Sequence, residues 1–216
     1  HLSIRRQRQM CIRDSCNTAF VEMSEQIGAD ELRKYAKAFG VGENYDLGVS
    51  TSAGTLGDLP DGAATAQSAI GQRDVTMTAL QAAVMAGTVA NKGTRMQPYL
   101  VNRITDAQMK DIRTTKPKKA DQAVNEETAA TLTDLMYASE RSSAGYDGNG
   151  FASKTGTAEH GEGLAPHVWY VAFDPERDIA VGVVVKNGGN LGESATGGKV
   201  SGPIGRAILR AYQGEQ

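Results

Sequence analysis

Apolar residues recur at helical spacing through the first part of the chain and alternate through the last. Ala19, Phe20, Met23 and Ile27 share one face and predict a buried helix from residue 15, ended by Gly28. A second helix starts near Asp30, an N-cap candidate, and carries Leu32, Tyr35, Ala36 and Phe39 to a stop at Gly40. Residues 41–71 are rich in Gly, Ser, Thr and Pro with little periodicity, which predicts a long irregular segment. Thr78 and Gln81 fit a capping box, in which each side chain satisfies a free backbone amide. That box opens a helix with Leu80, Val84 and Thr88 on one face, closed by Asn91-Lys92-Gly93. Residues 98–104 predict an exposed strand, and the polar, Lys-rich stretch 106–121 a surface loop. Asn125 caps the next helix, with Glu126 and Glu127 opposing its dipole and Leu132, Leu135 and Met136 as its buried face.

The period then changes to two. Residues 151–159, 168–173 and 179–186 predict strands, the last two joined by the turn at 174–178. Ser201 caps a final helix with Ile204, Ile208, Ala211 and Tyr212 toward the sheet. The layout is α+β: a helical group, then an antiparallel sheet covered by a terminal helix.

Length and charge narrow the function. The 216 residues suffice for one domain with a sizeable core. A formal net charge of −2 gives no support to nucleic-acid binding. No apolar run approaches the roughly 18 residues that span a bilayer, and no signal peptide is visible, so any export signal or anchor is expected to lie upstream of this chain or to be absent. Cys11 and Cys16 form neither a disulfide framework nor a metal-ligand pattern. No metal or cofactor is expected. Residues 1–14 carry Arg5, Arg6, Arg8 and Arg13 against a single acid, Asp14. They read as a solvated arm outside the domain, similar to translated adapter sequence, which leaves 15–213 as a partial domain.

Two short motifs carry candidate chemistry. Lys154-Thr155-Gly156-Thr157 falls on the first predicted strand. A strand glycine often marks close approach of a ligand to the backbone, and a lysine beside two hydroxyls suits a carboxylate. An edge strand with a solvated lysine explains the same residues. Ser15-Cys16-Asn17 opens the first helix, where Ser and Asn also serve as plain N-caps.

In this order, Ser15-x-Asn17 and Lys154-Thr155-Gly156 resemble the second and third signature motifs of penicillin-binding proteins and serine β-lactamases. Ile70-Gly71-Gln72, Thr78-Ala79-Leu80-Gln81 and Ala90-Asn91-Lys92-Gly93 resemble the transpeptidases of that group, as does His167-x-Trp169-Tyr170-Val171-Ala172-Phe173-Asp174-Pro175. The resemblance covers about Ser15 to Tyr212 and is strongest to the class B, monofunctional branch. It implies the β-lactamase/transpeptidase fold with its N-terminal part missing. It also implies cross-linking of peptidoglycan stem peptides ending in D-Ala-D-Ala through a serine acyl-enzyme, inhibited by β-lactams. The expected place is the outer face of the bacterial cytoplasmic membrane, beside other cell-wall synthesis proteins. In that picture Ser15 relays a proton and Asn17 bonds the substrate amide. Lys154 supplies positive charge, and Thr155 and Thr157 bind the substrate carboxylate. The Thr157 backbone amide donates to the oxyanion, and Gly156 admits the substrate as an added strand.

The family's first motif, Ser-x-x-Lys, supplies the nucleophile and precedes Ser-x-Asn. Only Arg-rich sequence precedes Ser15, and Ser3 is followed three residues on by Arg6. The chain alone is therefore expected not to acylate. A serine β-lactamase and a non-catalytic β-lactam sensor or scaffold are the alternatives. The first lacks support because Glu-x-x-Leu-Asn does not occur between Asn17 and Gly71. The Gly-rich stretch 192–199 is one residue too long for a phosphate-binding loop.

Overall fold

The structure is a computed structural model and describes residues 16–214. Ser15, Cys11 and the basic arm lie outside the described residues. Helix α1 spans Asn17–Ala38 and is broken at Gly28, where φ of 73° and ψ of 170° favour a residue without a Cβ. The two predicted helices are thus two rods of one segment. The predicted inner face of the first rod differs: Phe20, Met23 and Ile27 are exposed, and Ser24 is the buried position. Tyr35 is exposed as well, while Phe39 reaches the core.

The stretch expected to be irregular contains helix α2 (Gly62–Ala69), packed on α1. Asp61 Oδ1 accepts from the Ala64 amide at 2.8 Å and starts the helix. Its sequence, Gly-Ala-Ala-Thr-Ala-Gln-Ser-Ala, has high propensity and no large apolar stripe, so periodicity does not reveal it. Helix α3 (Ala79–Ala90) carries the predicted capping box: Thr78 N donates to Gln81 Oε1 at 2.8 Å, and Gln81 N donates to Thr78 Oγ1 at 3.1 Å. Its most buried residues are Gln81, Ala82, Ala86, Thr88 and Val89, whereas Leu80 and Val84 are half-buried. Small residues win this face because the helix lies directly on a strand. A Cβ on Gly182 would come within 2.7 Å of the Ala83 backbone nitrogen.

Between α3 and the next helix the chain forms a long antiparallel arm. Strand β1 (Thr94–Met96) pairs with β4 (Lys119–Gln122), and β2 (Arg103–Thr105) with β3 (Asp111–Thr114). The segment expected as a loop over 106–121 therefore holds two strands, and 98–102 is not regular strand. Solvent exposure on both faces removes the alternation that marks a half-buried strand. Helix α4 (Glu126–Ser142) starts at Asn125, whose Oδ1 accepts from the Thr128 amide at 2.8 Å. Leu132 and Met136 join the core, but Leu135 is exposed.

Strands β5 (Ala152–Ala158), β6 (His167–Asp174) and β7 (Ile179–Val185) form one antiparallel sheet with β6 in the centre. Asp174 Oδ1 accepts from the Glu176 amide at 3.0 Å and shapes the β6–β7 turn. Helix α5 (Ser201–Gly214) packs on β6 and β7. Tyr170, Ala172, Val181, Val183 and Leu209 form the core on its side, while Ala86, Val89, Ala152 and Phe173 form the core under α3.

The inner face of α5 is one position away from the expected one. Ile204, Ile208 and Ala211 are exposed, and Gly202, Gly205, Arg206 and Leu209 are buried. A Cβ on Gly205 would lie 2.7 Å from Tyr170 Cε1, so the ring rests on the helix backbone. Ser201 is the first helical residue, and its hydroxyl donates to the Gly197 carbonyl at 3.0 Å instead of capping.

Candidate active site

Strand β5 holds Lys154, Thr155, Gly156 and Thr157 in sequence, paired with β6 at Val171, Tyr170, Trp169 and Val168. Pairing with β6 occupies one edge of β5, and β6 is its only partner strand among the described residues. Two hydrogen bonds fix which backbone groups face the other edge. Gln72 Nε2 donates to the Thr157 carbonyl at 3.4 Å, and Lys154 Nζ donates to the Thr155 carbonyl at 2.8 Å. In an antiparallel pair a residue directs its N–H and C=O to the same edge. The Thr155 and Thr157 amides therefore face the open edge with their carbonyls. That edge offers paired donors and acceptors to an extended ligand.

Side chains alternate across the strand. Ser153, Thr155 and Thr157 leave on the α5 side, and Lys154 leaves on the α3 side with Ala152. The lysine nevertheless curls to the edge, where its ammonium reaches the Thr155 carbonyl. The cation is thus tied to the backbone edge, while the threonine side chains leave on the α5 face. Lys154 and Thr155 are half-buried, and Thr157 is exposed.

Behind β5 lies a buried ionic cluster that the pattern of apolar residues does not predict. Glu140 at the end of α4 and Arg206 of α5 are 0% and 2% exposed. Glu140 Oε1 accepts from Arg206 Nε at 2.6 Å and from Asn149 Nδ2 at 2.9 Å. Oε2 accepts from Tyr170 at 3.0 Å and from the Ser153 hydroxyl. Arg206 also donates to the Ala144 carbonyl and the Ser143 hydroxyl, each at 3.0 Å, and lies 5.4 Å over the Tyr170 ring. Burial alone raises the Glu140 carboxyl, but bonds from Arg206, Ser153 and Asn149 outweigh it and hold it below its ordinary range. Burial, then the Glu140 charge, pushes the Tyr170 phenol well up. Ser153 immediately precedes Lys154, so the cluster ties the register of the motif strand to two helices.

Two further contacts position the strand. Gly197 is pressed on it: a Cβ there would lie 2.9 Å from both Gly156 O and Thr155 Cβ. At the far end, His160 and His167 stack with ring centroids 3.9 Å apart. His167 Nδ1 accepts from the Asn187 amide at 3.1 Å, which links β6 to the segment after β7. Burial, then His160 and Lys186, lowers the His167 pKa.

Of the residues expected from sequence, the structure brings Lys154, Thr155, Gly156 and Thr157 together on one edge. Asn17 is the exposed first residue of α1; the cap is Cys16, without a side-chain cap bond. Ser15 lies outside the described residues, as does any distance from it to Lys154. Gln72, Gly197 and Glu140 are additional. Only Gln72 had a sequence signal, the Ile70-Gly71-Gln72 triplet. Among the described residues no cluster of three or more His, Cys, Asp or Glu suits a metal ion, and no helix is long and apolar enough to cross a membrane.

Known proteins resemble this chain in sequence and in fold. The penicillin binding protein transpeptidase domain is matched over residues 7–210. The peptidoglycan D,D-transpeptidase PbpA of Mycolicibacterium smegmatis is 45% identical over 206 residues, covering 91% of this chain and 42% of that protein. PbpA of Mycobacterium tuberculosis is 43% identical, covering 93% and 43%. Among solved structures, the ceftriaxone acyl-enzyme complex of M. tuberculosis penicillin-binding protein A superposes with a TM-score of 0.87 at 41% identity, covering 93% of this chain and 47% of that one. The fold is thus the β-lactamase/transpeptidase fold. The chain spans under half the length of the relatives it matches. It belongs to the penicillin-binding transpeptidase family, in the class B branch.

Proposed function

We propose that this chain is the Lys-Thr-Gly-bearing part of a peptidoglycan D,D-transpeptidase at the outer face of the cytoplasmic membrane. The open edge of β5 carries the reading, because it presents two extended residues beside a cation. A stem peptide ending in D-Ala-D-Ala adds as a strand along Thr155–Thr157, and a β-lactam mimics it. The threonine hydroxyls and Lys154 hold the terminal carboxylate. The Thr157 amide donates to the oxyanion that forms on acylation; one such donor contributes about 10²–10³ in kcat. Ser15 serves proton relay, and Asn17, at the head of α1, amide recognition. The acylated serine is supplied by sequence outside this chain, and other cell-wall synthesis proteins act beside the enzyme.

A labelled penicillin tests the reading. The longer protein that contains this chain should form a covalent, denaturation-resistant adduct, and Lys154→Ala should slow its formation by at least about 10². Equal labelling of the variant would defeat the assignment of β5. Incubated alone with penicillin, the 216-residue chain should show no adduct mass. Rapid penicillin turnover by the longer protein would favour a β-lactamase instead.

A further inference from the structure

Among the described residues, the three most exposed large apolar side chains lie on the arm formed by β1–β4, and nothing in the proposed acyl transfer uses it. Met109, Ile112 and Leu100 are 70%, 67% and 65% exposed, and Tyr99, Val101 and Ile104 are exposed beside them. The base is fixed. Arg95 is buried and donates from Nε to the Ala38 carbonyl at 2.8 Å. The shaft is continuous: the Gln97 amide donates to Lys118 O at 2.8 Å, and the Thr115 amide to Asn102 O at 2.7 Å. Asp106 Oδ1 closes the tip by accepting from the Gln108 and Lys110 amides, each at 2.9 Å. An ordered ribbon therefore carries large apolar side chains into solvent.

Charge is concentrated on the same ribbon. Residues 97–120 hold six cations and two acids, a surplus of four in a chain whose net charge is −2. Lys116 and Lys118 lie between β3 and β4 and Lys119 opens β4, all exposed. The exposed apolar residues run the length of the ribbon, from Tyr99 and Leu100 near its root to Met109 at its tip. Ile104 pairs with Arg113 and Thr105 with Asp111, so Ile112 is the extra residue of a bulge and stands exposed beside the tip. A rigid protein surface meets one face of a ribbon. A bilayer interface surrounds both and admits a tip, with cations at the headgroups and apolar side chains below them.

We propose that the arm docks on an anionic lipid surface, with Met109 and Ile112 inserted and the lysines against headgroup phosphates. This goes beyond the acyl-transfer reading and does not depend on it.

Co-sedimentation of the 216-residue chain with vesicles tests it. The chain should pellet with phosphatidylcholine vesicles containing phosphatidylglycerol, and should be released by salt. Replacing Lys116, Lys118 and Lys119 together by Gln should lower partitioning about a hundredfold. Met109→Ser with Ile112→Ser should lower it at least about tenfold. Ile204→Ser, an exposed apolar change on α5, should leave it unaltered and so controls for general stickiness. The proposal fails if the arm variants bind like the parent, if pure phosphatidylcholine binds as well, or if the arm mediates self-association without vesicles. Penicillin labelling of the longer protein should be unchanged by the arm substitutions, which keeps the two readings separable.

Discussion

Gly205 sets two residue-scale effects against each other. Helix propensity favours Gly205→Ala by about 1 kcal/mol. The new Cβ would meet the fully buried Tyr170 ring, and overpacking a core costs about 1–3 kcal/mol. The clash should win, because Tyr170 is also held through its hydroxyl on Glu140. Gly205→Ala should therefore lower the urea midpoint; an increase would mean the helix can lift off the ring. The buried pair beneath has a sharper signature. Arg206→Met leaves the Glu140 carboxylate uncompensated and should cost about 3–5 kcal/mol. Adding Glu140→Gln should recover part of that loss, and urea unfolding of the single and double variants reads the coupling. Because Glu140 is held below its ordinary range, its contribution is present above about pH 4.3 and fades as pH falls through the folded value. None of this was legible in the sequence. Glu140 and Arg206 are 66 positions apart and read as surface charges until β5, α4 and α5 converge. Lys154-Thr155-Gly156-Thr157 drew notice in the sequence through its resemblance, together with Ser15-x-Asn17, to a family's signature motifs.

Elements with a strong internal signal formed as expected. The Thr78/Gln81 box, the Asn125 cap and the β6–β7 turn each rest on side chains within three residues of the backbone groups they serve. Helix α2 and the arm strands lack that signal. One is built of small residues, and the others are solvated on both sides. The inner faces of α1 and α5 were misplaced because apolar residues there remain exposed. Gln81 shows how a cap can do more than start a helix. Its Nε2 donates to the carbonyls of Gly40 and Glu43, each at 3.3 Å, and to that of Ala53, pinning the irregular segment. Thr78→Ala should cost about 1 kcal/mol, the usual value of a cap. Gln81→Leu should cost more, since each buried group left unpaired adds about 1–3 kcal/mol. Equal losses in thermal unfolding would show that the segment is held by other contacts. His167 makes the link between β6 and the segment after β7 sensitive to pH. Its folded pKa is lowered, so neutral histidine is favoured in the fold. Stability should fall as pH drops below about 6.5, where the unfolded chain takes up the proton first, and level off below the folded value. His167→Asn should flatten that slope in melting curves.

At the scale of the whole molecule, the sheet has two edges of different character. The β5 edge is lined by Lys154, the threonine backbone and the Gln72 side chain. The β7 edge reads Ile-Ala-Val-Gly-Val-Val-Val and is long and apolar. An exposed edge of that kind templates pairing with another chain unless it is blunted by charge, proline or a covering element. Exposed Ile204 and Ile208 on α5, together with Phe20, Met23 and Ile27 on α1, add to the apolar surface. The relatives matched here are more than twice as long as the aligned stretch, which leaves ample sequence in them to cover such surfaces. The 216-residue chain by itself should therefore self-associate as concentration rises. Val184 is half-buried on β7, opposite Trp169, and a lysine there places a charge on the strand without replacing a fully buried residue. Sedimentation velocity across a wide dilution range should show association for the parent chain and markedly less for Val184→Lys. A parent that stays monomeric at every concentration would mean the β7 edge is already protected. Association untouched by the lysine would shift responsibility to the exposed faces of α1 and α5.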